Sequence, residues 1–97
     1  MNFNKEEIIN GILNGDEKYS YQICSIFEYF TQDELKKIFP YINITAQVAI
    51  IPFIKNIDDV FVKNVINKDN YYYLGHYLIK FGYDKNKLEK LKDTIFT

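Results

Sequence analysis

A chain of 97 residues that is 47% hydrophobic and 18% aromatic has apolar surface enough for one small core, which excludes intrinsic disorder. A formal charge of −1, with twelve cations that are all Lys, leaves no basic surplus for a nucleic acid and no bidentate Arg fork for phosphate, carboxylate or guanine. The single cysteine, Cys24, excludes an intrachain disulfide and the usual zinc cages, and no apolar run is long enough to span a bilayer, so a cytoplasmic chain without metal or cofactor is expected.

Helix starts are the clearest signals along the chain. Asn4 can cap a first helix, with Glu7 at its third position and Phe3 and Ile8 as a hydrophobic staple. Ile8, Ile9, Ile12 and Leu13 form its apolar stripe, and Gly15 stands where a left-handed C-terminal residue is favoured. Asp16 opens a second helix with Tyr19, Ile23, Ile26, Phe27 and Phe30 on one face. Thr31 and Glu34 make a capping box stapled by Phe30 and Leu35, and the third helix then meets Pro40, which interrupts the backbone ladder.

Thr45 is the expected start of a fourth helix. The surrounding stretch 42–54 is β-branched enough to read as a buried strand too; Pro52 and the lack of a partner strand favour the helix. Asp58 caps a fifth helix, stapled by Ile57 and Val62, with Phe61, Val62, Val65 and Ile66 facing inward. Asp69 is expected to open a sixth, through Tyr71, Leu74, Leu78 and Phe81 to Gly82. Asp84 opens the last, with Tyr83 and Leu88 as staple and Leu91 and Ile95 further along. The expectation is one all-α domain over 1–97, a compact bundle or a short α-solenoid-like stack of six to seven short helices. The sequences of these helices are not mutually similar, and no repeat is legible.

No constellation for catalysis emerges. His76 is the only imidazole, and it and Cys24 have no third, orienting residue. The four glycines form no phosphate-cradling loop. The carboxylate pairs Glu6-Glu7, Asp16-Glu17, Asp33-Glu34 and Asp58-Asp59 all fall at helix starts, where capping and the helix dipole account for them. A non-enzyme is expected.

What the core does not absorb is Asn70-Tyr71-Tyr72-Tyr73 with Tyr77. Three consecutive rings cover about 200° of a helix at 100° per residue, so they are all buried only if this helix is central, and otherwise one side of them is available to a partner. Candidate partner-binding residues are Tyr72, Tyr73, His76 and Tyr77, with Asp58, Asp59, Glu6 and Glu7 as acidic contacts. Small, acidic, helical and rich in such residues, the chain resembles the immunity proteins of contact-dependent growth inhibition and related toxin systems. That resemblance covers its overall character, carries no diagnostic motif and transfers no residues. It implies a protein that binds a cognate toxin domain, including a basic nuclease, and occludes its active site. The second reading is a phage or plasmid accessory factor, with 58–68 and 69–81 as a helix-turn-helix, although the second of these carries Lys80 as its one cation. A monomer or a weak homodimer suits the first reading, with no membrane and no nucleic acid as partner.

Overall fold

The computed structural model describes residues 2–97. Seven α-helices follow one another: α1 Lys5–Leu13, α2 Glu17–Ile26, α3 Gln32–Ile38, α4 Ile44–Ile50, α5 Asp59–Val65, α6 Tyr71–Lys80 and α7 Lys85–Ile95. Single 3₁₀ turns, Phe27–Tyr29, Phe39–Tyr41 and Ile51–Phe53, extend α2, α3 and α4. Pro40 and Pro52 sit inside the latter two, where a tightened turn tolerates the missing N–H. Within the stretch 42–54, residues 44–53 are helical, and no strand occurs among the described residues.

Five of the expected caps stand. The side chains of Asn4, Asp16, Thr31, Asp58 and Asp84 each accept a first-turn backbone N–H, and Thr31 completes the capping box with Glu34. Two starts differ. The fourth helix is capped by Asn43, not Thr45: Asn43 Oδ1 accepts from the Ala46 N–H at 2.9 Å. The sixth starts after Asn70, not Asp69, because Asn67 Oδ1 takes the N–H groups of both Asp69 and Asn70 and holds them in the preceding turn.

With those two corrections a period appears. Asn4, Thr31 and Asp58 stand 27 residues apart and Asp84 follows after 26; Asp16, Asn43 and Asn70 are again 27 apart. Each unit is a pair of short helices, and the units stack into two rows. The even-numbered helices α2, α4 and α6 touch in series. The odd-numbered row runs α1 to α3, then through the Phe39–Tyr41 turn to α5, and α5 is tied to α7 by hydrogen bonds from Tyr83 and Lys87 to Asp59. The result is a short α-solenoid-like stack, 43 Å long and 24 by 19 Å across.

Equivalent positions make equivalent contacts although their residues differ. In the odd row the first residue of one helix reaches the third residue of the next: Lys5 bonds Glu34 at 3.1 Å and, with the charges exchanged, Lys87 bonds Asp59 at 3.3 Å. Between them Gln32 clasps the backbone instead, donating to the Phe53 carbonyl and accepting from the Lys55 N–H. In the even row a buried polar side chain meets the cap residue 23 positions on. Ser20 Oγ accepts from the Asn43 N–H at 3.1 Å, and Gln47 Oε1 accepts from Asn70 Nδ2 at 3.1 Å. The core between the rows is aliphatic, with Phe39 packed against Phe61. Gly11 admits the Tyr19 ring so closely that any Cβ there would overlap it.

Gln47 and Asn70 are 2% and 1% exposed, so removing either strands a buried polar partner. Asn70→Ala and Gln47→Ala are each expected to destabilise the fold by about 1–3 kcal/mol. A double-mutant cycle in urea should return a coupling above about 0.5 kcal/mol; additive effects would show that the pair does not hold the stack together.

Candidate partner-binding face

The two rows differ in charge. Glu17, Lys18 and Lys80 are the only charged residues in α2, α4 and α6, whereas α1, α3, α5 and α7 carry fifteen between them. The even row therefore presents an outer face that is almost uncharged. Residues one period apart line up across it and are all exposed: Lys18, Thr45 and Tyr72; Gln22, Ala49 and His76; Ser25, Pro52 and Ile79. The α4 members of these sets, Thr45 and Ala49, are small and uncharged.

Four of the expected contact residues sit on that face or at its edge. Tyr72 and Tyr73 are 64% and 62% exposed and His76 is exposed too. Tyr77 is half-buried against the core and supports His76, their ring centroids 4.3 Å apart. Of the run beneath, Tyr71, Leu74 and Leu78 are buried as the periodicity predicts, whereas Phe81, beyond the last turn, is exposed; the Tyr71 hydroxyl donates to the Leu88 carbonyl at 3.3 Å. Burial pushes the Tyr71 phenol above its ordinary value. Tyr72 is held from the side by Phe96, with Lys92 over its ring at 5.6 Å. A ring fixed in this way loses little freedom on meeting a partner.

The four acids lie in the odd row instead, and three have partners within the fold. Asp58 caps α5, and Glu7 accepts from the Tyr19 hydroxyl at 3.1 Å. Asp59 accepts from the Tyr83 hydroxyl at 3.0 Å and from Lys87; Tyr83 first and Lys87 second hold its carboxyl below the ordinary range. Glu6 is exposed. Glu6 and Glu7 belong to α1, at the opposite end of the stack from α6. The acids and the tyrosines are thus not brought together.

Cys24 is half-buried on α2, its thiol donating to the Ser20 carbonyl at 3.4 Å, and burial raises its pKa despite that bond. Among the described residues no group of three or more His, Cys, Asp or Glu is placed to hold a metal ion, and no helix is long and apolar enough to cross a membrane. The α5–α6 pair presents Lys80 as the one cation of its second helix. No family model, curated protein or solved structure matches this chain.

Tyr83 is the titrating side chain whose state the fold controls most firmly. Burial first, then its bond to Asp59, pushes the phenol from 10.0 to about 12. Its folded pKa is raised, so its contribution is complete below pH 10.0 and is lost as the pH climbs towards about 12. Between those values wild type should lose stability more steeply than Tyr83→Phe, read as the difference between the two denaturation midpoints. Parallel curves would show that the hydroxyl is not retained as a donor to Asp59.

Proposed function

We propose that the chain is a protein-binding inhibitor, an immunity protein that neutralises a cognate toxin domain by covering its active site with the outer face of the even row. The observation that carries this reading is the segregation of charge: the helices that bear Tyr21, Tyr72 and Tyr73 carry three charged residues against fifteen in the other row, whose Lys85, Glu89 and Lys92 on α7 border the α6 end of the face. Depletion of charge and enrichment in tyrosine mark the centre of protein–protein contacts, where each ring contributes area and its hydroxyl still finds a partner. Lys and carboxylates around such a centre would serve as its rim and steer the approach of an oppositely charged domain. Asp58, Asp59, Glu6 and Glu7 act in this reading through that long-range field, with the direct contacts left to Tyr72, Tyr73, His76 and Tyr77.

Co-expression with the product of the adjacent gene tests it. A stable complex that suppresses the toxin's activity is expected, and Tyr72→Ala with Tyr73→Ala should weaken binding by about 2 kcal/mol or more, near thirtyfold. Both rings are exposed, so the thermal midpoint should hardly move. A tight complex indifferent to both substitutions would place the interface elsewhere, and no complex together with no protection would remove the inhibitory function.

A further inference from the structure

The stack supplies its own comparison for the gaps between successive odd helices. Between α1 and α3, Lys5 pairs with Glu34 and lies 5.2 Å over the Phe30 ring. Between α3 and α5, Lys36 lies over Phe61 at 6.0 Å and donates to the Asn56 carbonyl. In both gaps the long cationic side chain is used within the fold. Between α5 and α7 Lys87 is so used, on Asp59, but Lys63 and Lys90 are not. There an open cleft of about 310 Å³ is bounded by Lys63, Lys87 and Lys90, with one carboxylate, Asp59, among them. Asp59 takes Lys87 and the Tyr83 hydroxyl, and no carboxylate among the described residues pairs with Lys63 or Lys90. Three ammonium groups against one carboxylate leave two positive charges uncompensated in a concave site. Leu91 and the Tyr83 ring give the cleft an apolar wall, and Thr94 lines it as well.

We propose that this cleft is a binding site for a small organic phosphomonoester, whose phosphate is held between Lys63 and Lys90 and whose body lies on Leu91 and Tyr83. A phosphomonoester carries about −1.5 to −2 charges near neutral pH, the balance this cleft lacks, whereas a carboxylate or phosphodiester supplies one. Lysines suit the role as mobile point charges, so the absence of Arg is no obstacle. The Asp59–Lys87 bond ties α7 to α5 across the cleft, while Lys63 and Lys90 line it at exposed positions without a carboxylate partner. The site lies in the odd row, away from the face assigned to a protein partner, and stands or falls independently of that assignment.

The test is a titration of the isotopically labelled chain with phenyl phosphate, inorganic phosphate and benzoate at pH 7.5 and low salt, read from backbone amide shifts. Saturable shifts at Lys63, Lys90, Leu91 and Thr94 are expected with phenyl phosphate. Its affinity should exceed that of benzoate by about tenfold or more, and should fall below pH 6 or so as the phosphate takes up its second proton. Lys63→Gln and Lys90→Gln, both at exposed positions, should each weaken binding with the thermal midpoint unchanged, and Lys68→Gln should not. Linear shifts, shifts spread equally over Lys36 and Lys37, or benzoate binding as tightly as phenyl phosphate would overturn the site. Inorganic phosphate binding as tightly as phenyl phosphate would overturn the organic ligand, and saturation by an acidic peptide alone would transfer the cleft to a protein partner.

Discussion

Asn70 holds the centre of this molecule. Its side chain is buried at the start of α6, where it donates to Gln47 on α4 and to the Val65 carbonyl and accepts from the Asn67 N–H. One residue thereby fixes three things: where α5 ends, where α6 begins and how α6 sits on α4. A helix of seven to eleven residues is marginal on its own in water, so each of these helices depends on its neighbours for existence as well as for position. Apolar burial supplies the drive but not the register, since it is non-directional. The directional contacts are the polar ones made one unit on: Ser20 with Asn43, Gln47 with Asn70, Lys5 with Glu34 and Asp59 with Lys87. Slipping α4 or α6 by one residue would leave Gln47 or Asn70 buried without a partner, at a cost of about 1–3 kcal/mol each.

This arrangement explains why the units are hard to see in the sequence. A stack constrains geometry at equivalent positions more than identity. Ser20, Gln47 and Leu74 occupy one such position, all buried, as hydroxyl, amide and hydrocarbon. Lys5 and Asp59 occupy another with opposite charges, which is harmless because Glu34 and Lys87 reverse with them. Local chemistry is legible: caps and the capping box involve residues within three positions, and those expectations stand at Asn4, Asp16, Thr31, Asp58 and Asp84. Asn43 and Asn70 are harder to read as helix starts, because Thr45 and Asp69 nearby are also cap-forming residue types. Asn43 is held by Ser20, 23 residues back, and Asn70 by Gln47, 23 residues back, together with the local Asn67 turn; the distant partners are what no local pattern reveals.

The same distinction applies to the surface. The tyrosine excess on α6 and the burial of Tyr71, Leu74 and Leu78 follow from periodicity. That Thr45, Ala49 and Pro52 lie beside Tyr72, His76 and Ile79 does not, because it requires knowing that alternate helices share a row. Likewise the acids are individually apparent as helix starts, but only the fold shows that they stand in the row opposite the tyrosines.

The division of charge between the rows is difficult to explain by stability alone. Both rows bury one stripe and expose another, and an exposed helical position is served equally well by Lys, Glu or Gln in terms of helix propensity. Had solubility been the only demand, the outer positions of α4 would carry charge as those of α3 do with Asp33, Lys36 and Lys37. Instead the run from Ile44 to Ile54 contains no charged residue, and its exposed members are Thr45, Ala49, Pro52 and Phe53. Uncharged exposure of this kind carries an association hazard that a free chain would ordinarily avoid. It is retained without harm where another surface covers it, and the neighbouring exposed rings are the residue type best suited to make that cover specific. The other row carries fifteen charged residues, so charge and uncharged exposure are divided between the two rows of one 43 Å scaffold.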